Sequence, residues 1–288
     1  LHGGEPFLTP LPVLYKFTEP FIEMGVSIGA TTNLVYKVTD QHLDFFKNVC
    51  TGGLATSWDN GIRFENEKQY NLWLNNLATL KAEKLKIKLF VSITKGVVGM
   101  DPADFLEELS SFNVSDVSLE RLTVDGNAEI NTAIFPSNED QDNWFLKLYK
   151  VYEAKKDCLD FTISTLDTIA LKVKNNLVKV DTSCRNCEQN LVTIGADGKL
   201  SGCPNGALKD DFGSISEPVV NFVYNEGRVT RISEELNFPN HCLRCDVFDI
   251  CGGDCHRLPF KDGRCGGLKN LLRHLKYGDR GIPIKNLG

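Results

Sequence analysis

Cys184-Arg185-Asn186-Cys187 opens a cysteine array that runs to Cys265, and its spacing decides how this 288-residue chain is read. Eight of the ten cysteines lie in it. Cys184-x2-Cys187 is followed after ten residues by Gly198 and after four more by Cys203; then come Cys242-x2-Cys245-x5-Cys251-x3-Cys255 and, nine residues on, Cys265. Two residues between cysteines let a tight turn aim both sulfurs at one centre, so the pattern is that of metal sites. Eight thiolates complete two four-sulfur sites, and soft thiolates suit tetrahedral zinc or an iron–sulfur cubane. Between Leu191 and Ser201 the sequence reads as two short strands around Ala196-Asp197-Gly198, a hairpin that folds Cys203 back beside Cys187. Cys251-Gly252-Gly253-Asp254-Cys255 places bare backbone between ligands, where N–H groups can turn toward anionic sulfur.

The array resembles the SPASM domain, the C-terminal extension of a large group of radical S-adenosylmethionine enzymes. The resemblance covers about a third of the chain and implies two auxiliary [4Fe-4S] clusters. Carried over by position, the first would be held by Cys184, Cys187, Cys203 and Cys255, and the second by Cys242, Cys245, Cys251 and Cys265. The crossover of Cys255 to the first site is implied by the family alone. Gly3-Gly4-Glu5-Pro6 is similar to the motif after the second strand of radical S-adenosylmethionine barrels. There the glycines lie against the cofactor's methionyl end and the Glu region receives its ammonium. Standing alone, the four residues read as a tight turn before a helix.

Composition sets the outer bounds. Apolar residues make up 42% and charged residues 24%, ordinary for a globular protein, and a net charge of −6 argues against a general nucleic-acid binder. No 18-residue apolar run predicts a membrane span, and no secretory signal is evident, so a cytoplasmic location with reduced, metal-binding cysteines is expected. Cys50 and Cys158 stand apart and read as buried structural thiols. Arg264, Lys269, Arg273, Lys276, Arg280 and Lys285, set against the single acid Asp279, read as a solvated basic tail.

Upstream of the array, periodicity predicts helices near 10–23, 39–49, 65–83, 101–110, 138–155 and 161–171, with strands near 26–33, 54–58, 86–93 and 116–122. Trp144, Phe145, Leu148 and Tyr152 fall on one side of their helix and read as core. Strands alternating with helices imply parallel βαβ units, an α/β fold. The expected organisation is a partial parallel (β/α) barrel over 1–180, lacking its first strands, followed by a small cysteine-rich SPASM domain over 181–288. Sites in such folds gather at the carboxyl ends of strands, which here carry Thr32-Asn33, Ser57, Asp59, Ser92, Thr94 and Glu120-Arg121. Asn33 and Ser57 are the best further candidates for cofactor contact, beside Gly3, Gly4, Glu5 and Pro6.

One departure from the family bears on function. Its defining Cys-x3-Cys-x2-Cys motif, which holds the cluster that cleaves S-adenosylmethionine, does not occur in these residues. In the family it precedes Gly-Gly-Glu-Pro, so an N-terminally truncated form of a longer enzyme is expected, inactive as it stands. The resemblance implies S-adenosylmethionine as cofactor, with a third [4Fe-4S] cluster on the upstream segment. It also implies a 5′-deoxyadenosyl radical, a peptide or protein substrate, and an electron donor such as flavodoxin or ferredoxin. Pro204 stands where the sulfatase-maturing branch has an Asp, so that branch's base is not expected, and no other catalytic base is assigned. Two alternatives come from other classes: a zinc-stabilised four-cysteine interaction module, and a catalytically silent iron–sulfur partner.

Overall fold

The structure, a computed structural model, describes residues 1–125, 127–175, 185–206, 209–261 and 263–278. After a short 3-10 turn at Pro6–Leu8 comes helix α1, Leu11–Glu23. Strands and helices then alternate: β1 Gly29–Thr31, α2 Asp40–Asn48, β2 Gly53–Trp58, α3 Glu67–Ala82 and β3 Ile87–Ile93. Next are α4 Lys95–Val98, α5 Pro102–Ser111, β4 Asp116–Arg121, α6 Asn127–Ile130, α7 Asn138–Lys155, β5 Thr162–Ile163 and α8 Ser164–Lys174. The cysteine-rich part holds α9 Cys187–Asn190, β6 Thr193–Ile194, β7 Leu200–Ser201, α10 Val219–Val223, α11 Glu226–Leu236, α12 Asn240–Leu243, α13 Phe248–Cys251 and α14 Lys269–Tyr277. Contacts group the chain into two units, Leu1–Glu120 with Leu148–Asp167 and Arg121–Lys147 with Thr168–Gly288.

The first unit is the α/β part. Its five-stranded sheet runs β1-β2-β3-β4-β5, with β1–β2, β2–β3 and β4–β5 paired in parallel. Leu1 lies on the free edge of β1, its carbonyl accepting the Thr31 N–H at 2.9 Å. β3 alternates strictly. Ile87, Leu89, Val91 and Ile93 are buried, while Lys88, Phe90 and Ser92 are half-buried on the other face. The buried core carries Phe45, Trp73, Leu77, Phe105 and Phe112. Trp73 meets Phe112 edge-on at 5.1 Å and donates its indole N–H to the Thr56 hydroxyl at 3.0 Å, so its polar atom enters the core satisfied. Helix starts follow their capping residues: Asn66 accepts the Gln69 N–H ahead of α3, and Asp101 accepts the Ala103 N–H ahead of α5.

Most expected elements are present, and the face of α7 formed by Trp144, Phe145, Leu148 and Tyr152 is buried as expected. Four expectations need correction. The strand expected over 26–33 shortens to Gly29–Thr31. The helix expected over 161–171 is preceded by β5, whose Thr162 and Ile163 pair with Asp116 and Val117; two residues are too few to show a period. Cys158 is exposed, in a 3-10 turn after α7, whereas Cys50 is buried. The basic segment is not a solvated tail where it is described. It forms α14, with Leu271 and Leu272 buried, and Arg273 pairs Asp246 at 2.8 Å, Lys276 pairs Asp249 at 2.8 Å and Arg264 pairs Glu139 at 2.7 Å. The acids that pair with it lie 23 positions or more away in sequence, out of reach of a local reading. Arg280 and Lys285, and the expected domain boundary near residue 180, lie outside the described residues.

The end of β1 is held with particular care. Leu34 is fully buried at φ +54°, an uncommon backbone for a side chain of its size. The buried Asn76 amide fixes it by donating to the Leu34 carbonyl at 2.9 Å and the Tyr36 carbonyl at 2.8 Å. Replacing Asn76 by Ala leaves both carbonyls without this donor. We expect a loss of about 2–4 kcal/mol of unfolding free energy in urea titration. A loss below about 1 kcal/mol would mean that other donors reach the two carbonyls.

Candidate metal centre

The first group of cysteines is assembled by a hairpin and a buried carboxylate. Cys187 opens α9; β6 and β7 pair antiparallel, Thr193 with Ser201 and Ile194 with Leu200, and return the chain to Cys203. The Cys203 sulfur is hydrogen-bonded to Cys187, as the hairpin reading requires. That bond, with the Asn205 N–H and the nearby Arg257 charge, holds the Cys203 thiol below its ordinary value despite burial, favouring the thiolate a metal needs. Cys255 is half-buried, and Cys184 lies outside the described residues.

Glu188, next to Cys187, is 0% exposed. Its Oε2 accepts the Cys203 N–H at 3.1 Å, and its Oε1 accepts Arg257 Nη2 at 2.6 Å and Nε at 3.1 Å. Arg257 stands two residues past Cys255 and also reaches Asp210 at 2.6 Å, which in turn accepts Arg231 at 2.9 Å. A single carboxylate therefore bonds to the chain at Cys203 and at Arg257 while sitting beside Cys187. The buried Glu235 accepts the Glu188 N–H at 3.2 Å at the start of α9; burial pushes its carboxyl up, an effect partly offset by that bond. A Cβ on Gly202 would overlap the Glu188 carboxylate, and one on Gly206 would overlap Arg257 and Asp210.

The second group surrounds a cavity of about 580 Å³ whose wall includes Cys242, Cys245, Cys251 and Cys265, with Cys255, His241 and His256 beside them. Burial pushes the Cys251 thiol up to about 12, with Asp254 adding to the effect. Burial also raises Cys242, and the neighbouring Cys265 and Cys245 add to it. A cationic metal group reverses this penalty, because it binds the deprotonated sulfur directly. The turn after Cys251 is left-handed at three successive residues, Gly252 at φ +65°, Gly253 at +86° and Asp254 at +52°. Arg121, the last residue of β4, fixes it: its guanidinium forks onto both Asp254 oxygens at 2.7 Å and reaches the Gly266 carbonyl at 2.9 Å. Asp254 also accepts the Cys255 N–H at 2.7 Å. Among the described residues, no three His, Cys, Asp or Glu side chains converge as a single-ion site requires.

In the first unit, Gly3 and Gly4 have φ of +86° and +53°, and a Cβ on either would meet open space. Backbone conformation, not crowding, is what calls for glycine there. Glu5 is already engaged. Its Oε2 accepts the Asn33 N–H at 2.6 Å, while its Oε1 accepts the Phe7 N–H at 3.1 Å and the Thr32 hydroxyl at 2.9 Å. Pro6 begins the 3-10 turn that Glu5 caps. Asn33 spends its Oδ1 on the Val35 N–H at 2.8 Å. Ser57 pairs in register with Phe90 and shares the less buried face of the sheet with Lys88, Ser92 and Glu120. Sequence reasoning thus located the strand-end polar groups and the cysteines. It missed Glu188 and Arg257, whose charges taken singly look like ordinary surface, and it placed Arg121 at a strand end and Asp254 in the Cys251–Cys255 spacer without pairing them.

No family model and no curated protein matches the chain. Solved structures do match in fold. Native anSMEcpe with bound AdoMet and the Cp18Cys peptide superposes with a TM-score of 0.68 at 13% identity, over 96% of this chain and 81% of that one. SuiB of Streptococcus suis superposes with a TM-score of 0.57 at 13% identity, over 88% of this chain and 61% of its own. SuiB bound to S-adenosylmethionine gives 0.53 at 14% identity, over 88% and 60%. At these identities the likeness is one of fold.

Removing Glu188 tests whether the cage depends on it. In Glu188→Ala the buried Arg257 loses its main partner, and we expect about 3–5 kcal/mol of destabilisation of the cysteine-rich unit in denaturant unfolding. Glu188→Gln keeps an acceptor for the Cys203 N–H and should lose less.

Proposed function

We propose that this chain is a radical S-adenosylmethionine enzyme of the SPASM type that modifies a peptide or protein. The observation that carries the reading is the eight-cysteine array, whose described members are tied together by Glu188 on one side and gathered around a cavity on the other. Cys184, Cys187, Cys203 and Cys255 would hold one [4Fe-4S] cluster and Cys242, Cys245, Cys251 and Cys265 the second. Each thiolate of a cubane binds a different iron, so sulfurs distributed around a cavity suit a cluster better than one zinc ion. S-adenosylmethionine, given one electron by a [4Fe-4S] cluster whose Cys-x3-Cys-x2-Cys motif these residues do not contain, would supply methionine and a 5′-deoxyadenosyl radical for hydrogen abstraction. Gly3 and Gly4 offer open backbone to its methionyl end. Glu5 and Pro6 act on the site by shaping the turn, since the Glu5 carboxylate is committed to Asn33, Thr32 and Phe7. Asn33 and Ser57 stand at strand ends as further contacts.

The fold is shared with anSMEcpe, solved with AdoMet and a peptide, and with SuiB, solved with S-adenosylmethionine, which supports the cofactor and substrate class. An electron carrier such as flavodoxin or ferredoxin would deliver reducing equivalents. Among the described residues no helix is long and apolar enough to cross a membrane.

Anaerobic reconstitution should load about eight irons per chain with a brown visible absorbance. Iron near zero with about two zincs per chain would replace this reading with the zinc module. With dithionite and S-adenosylmethionine, these 288 residues should form no 5′-deoxyadenosine, because they contain no Cys-x3-Cys-x2-Cys. A chain carrying that motif upstream should form it. Product from the 288 residues alone would show that one of the two assigned sites is open and catalytic, and no product from the longer chain would favour the silent partner.

A further inference from the structure

His256 follows Cys255 and lies in the wall of the cavity with Cys242, Cys245, Cys251 and Cys265. Its side chain is 10% exposed, and both ring nitrogens are buried without a hydrogen-bond partner. Whichever tautomer it adopts, a neutral imidazole carries one N–H, and a buried donor without an acceptor is costly. The acidic neighbours do not supply one. Glu188 Oε1 is 3.6 Å from Nε2, too far to bond, and already accepts two N–H groups of Arg257. Asp254 is taken by Arg121 and the Cys255 N–H, and Asp142 by the Asn270 N–H. The other histidine of the wall differs: His241 lies against the Phe260 ring, 4.3 Å between centroids. What the His256 site lacks is an acceptor inside the cavity, and sulfur that carries negative charge is one.

We propose that His256 donates a ring N–H to a sulfur of the iron–sulfur cluster seated in this cavity and so raises that cluster's reduction potential. The proposal rests on the cluster reading above. Reduction adds an electron to the cluster, and an N–H dipole aimed at its sulfur stabilises the more negative state more strongly.

The test uses the reconstituted chain as wild type, His256→Leu and His256→Gln, with iron counted before EPR-monitored redox titration. The expected result is equal iron in all three and one midpoint displaced to more negative potential in His256→Leu. The displacement should be about tenfold in the reduction equilibrium, ~59 mV for one electron. His256→Gln, which keeps an N–H donor, should recover part of it. Wild type that takes up no iron would sink the cluster reading, and this proposal with it. Iron-replete His256→Leu with unchanged midpoints would overturn the proposal alone. Should His256→Leu lose iron, protein with ¹⁵N-labelled imidazoles and otherwise only His241→Asn decides: a ¹⁵N coupling to the reduced cluster in pulsed EPR supports the bond, and its absence overturns it.

Discussion

The Glu188 carboxylate has lost its water, and the first cysteine group is built on how that loss is offset. Taking a carboxylate and a guanidinium out of solvent costs several kcal/mol each, and only close, well-directed partners recover it. Here Arg257 supplies two N–H groups to one oxygen, and the Cys203 backbone supplies one to the other. Arg257 hands its remaining reach to Asp210, and Asp210 to Arg231, so charge alternates outward from the buried centre. The partners of Glu188 stand 15 and 69 positions along the chain. Satisfying this carboxylate therefore fixes the relative placement of cysteines that local spacing leaves free.

A different constraint governs the second group. Cys251 and Cys255 are four apart, and on a continuous helix they would point the same way. The left-handed run from Gly252 to Asp254 ends α13 at Cys251 and turns the chain before Cys255. Arg121 holds the turn through Asp254 and, by its bond to Gly266, holds the segment that carries Cys265. The proposed division of ligands keeps Cys251 with Cys265 and gives Cys255 to Cys187 and Cys203. Arg257, just past Cys255, is already bonded to Glu188 beside those two.

What could be read from the sequence follows from the range of the physics involved. Spacing and periodicity are local, so the hairpin before Cys203, the strand β3 and the helices α3 and α5 were all legible. β5 was not, because two residues have no period and its identity comes from pairing with β4. The basic residues of α14 and the lone Cys158 were misread for one shared reason: burial and charge pairing are decided by distant chain. The same blindness hid Glu188 and the pairing of Arg121 with Asp254, which hold the cysteines without being cysteines.

Gly202 carries no ligand and has no chemistry of its own, yet a single added methyl group there would occupy the space of the Glu188 carboxylate. A missense change at this codon would therefore mimic the loss of a cysteine. In a mutational screen scored by phenotype, Gly202 would cluster with the ligand positions, and no shortening at residue 188 would rescue it, because the carboxylate that Gly202 makes room for is itself what joins Cys203 to Arg257.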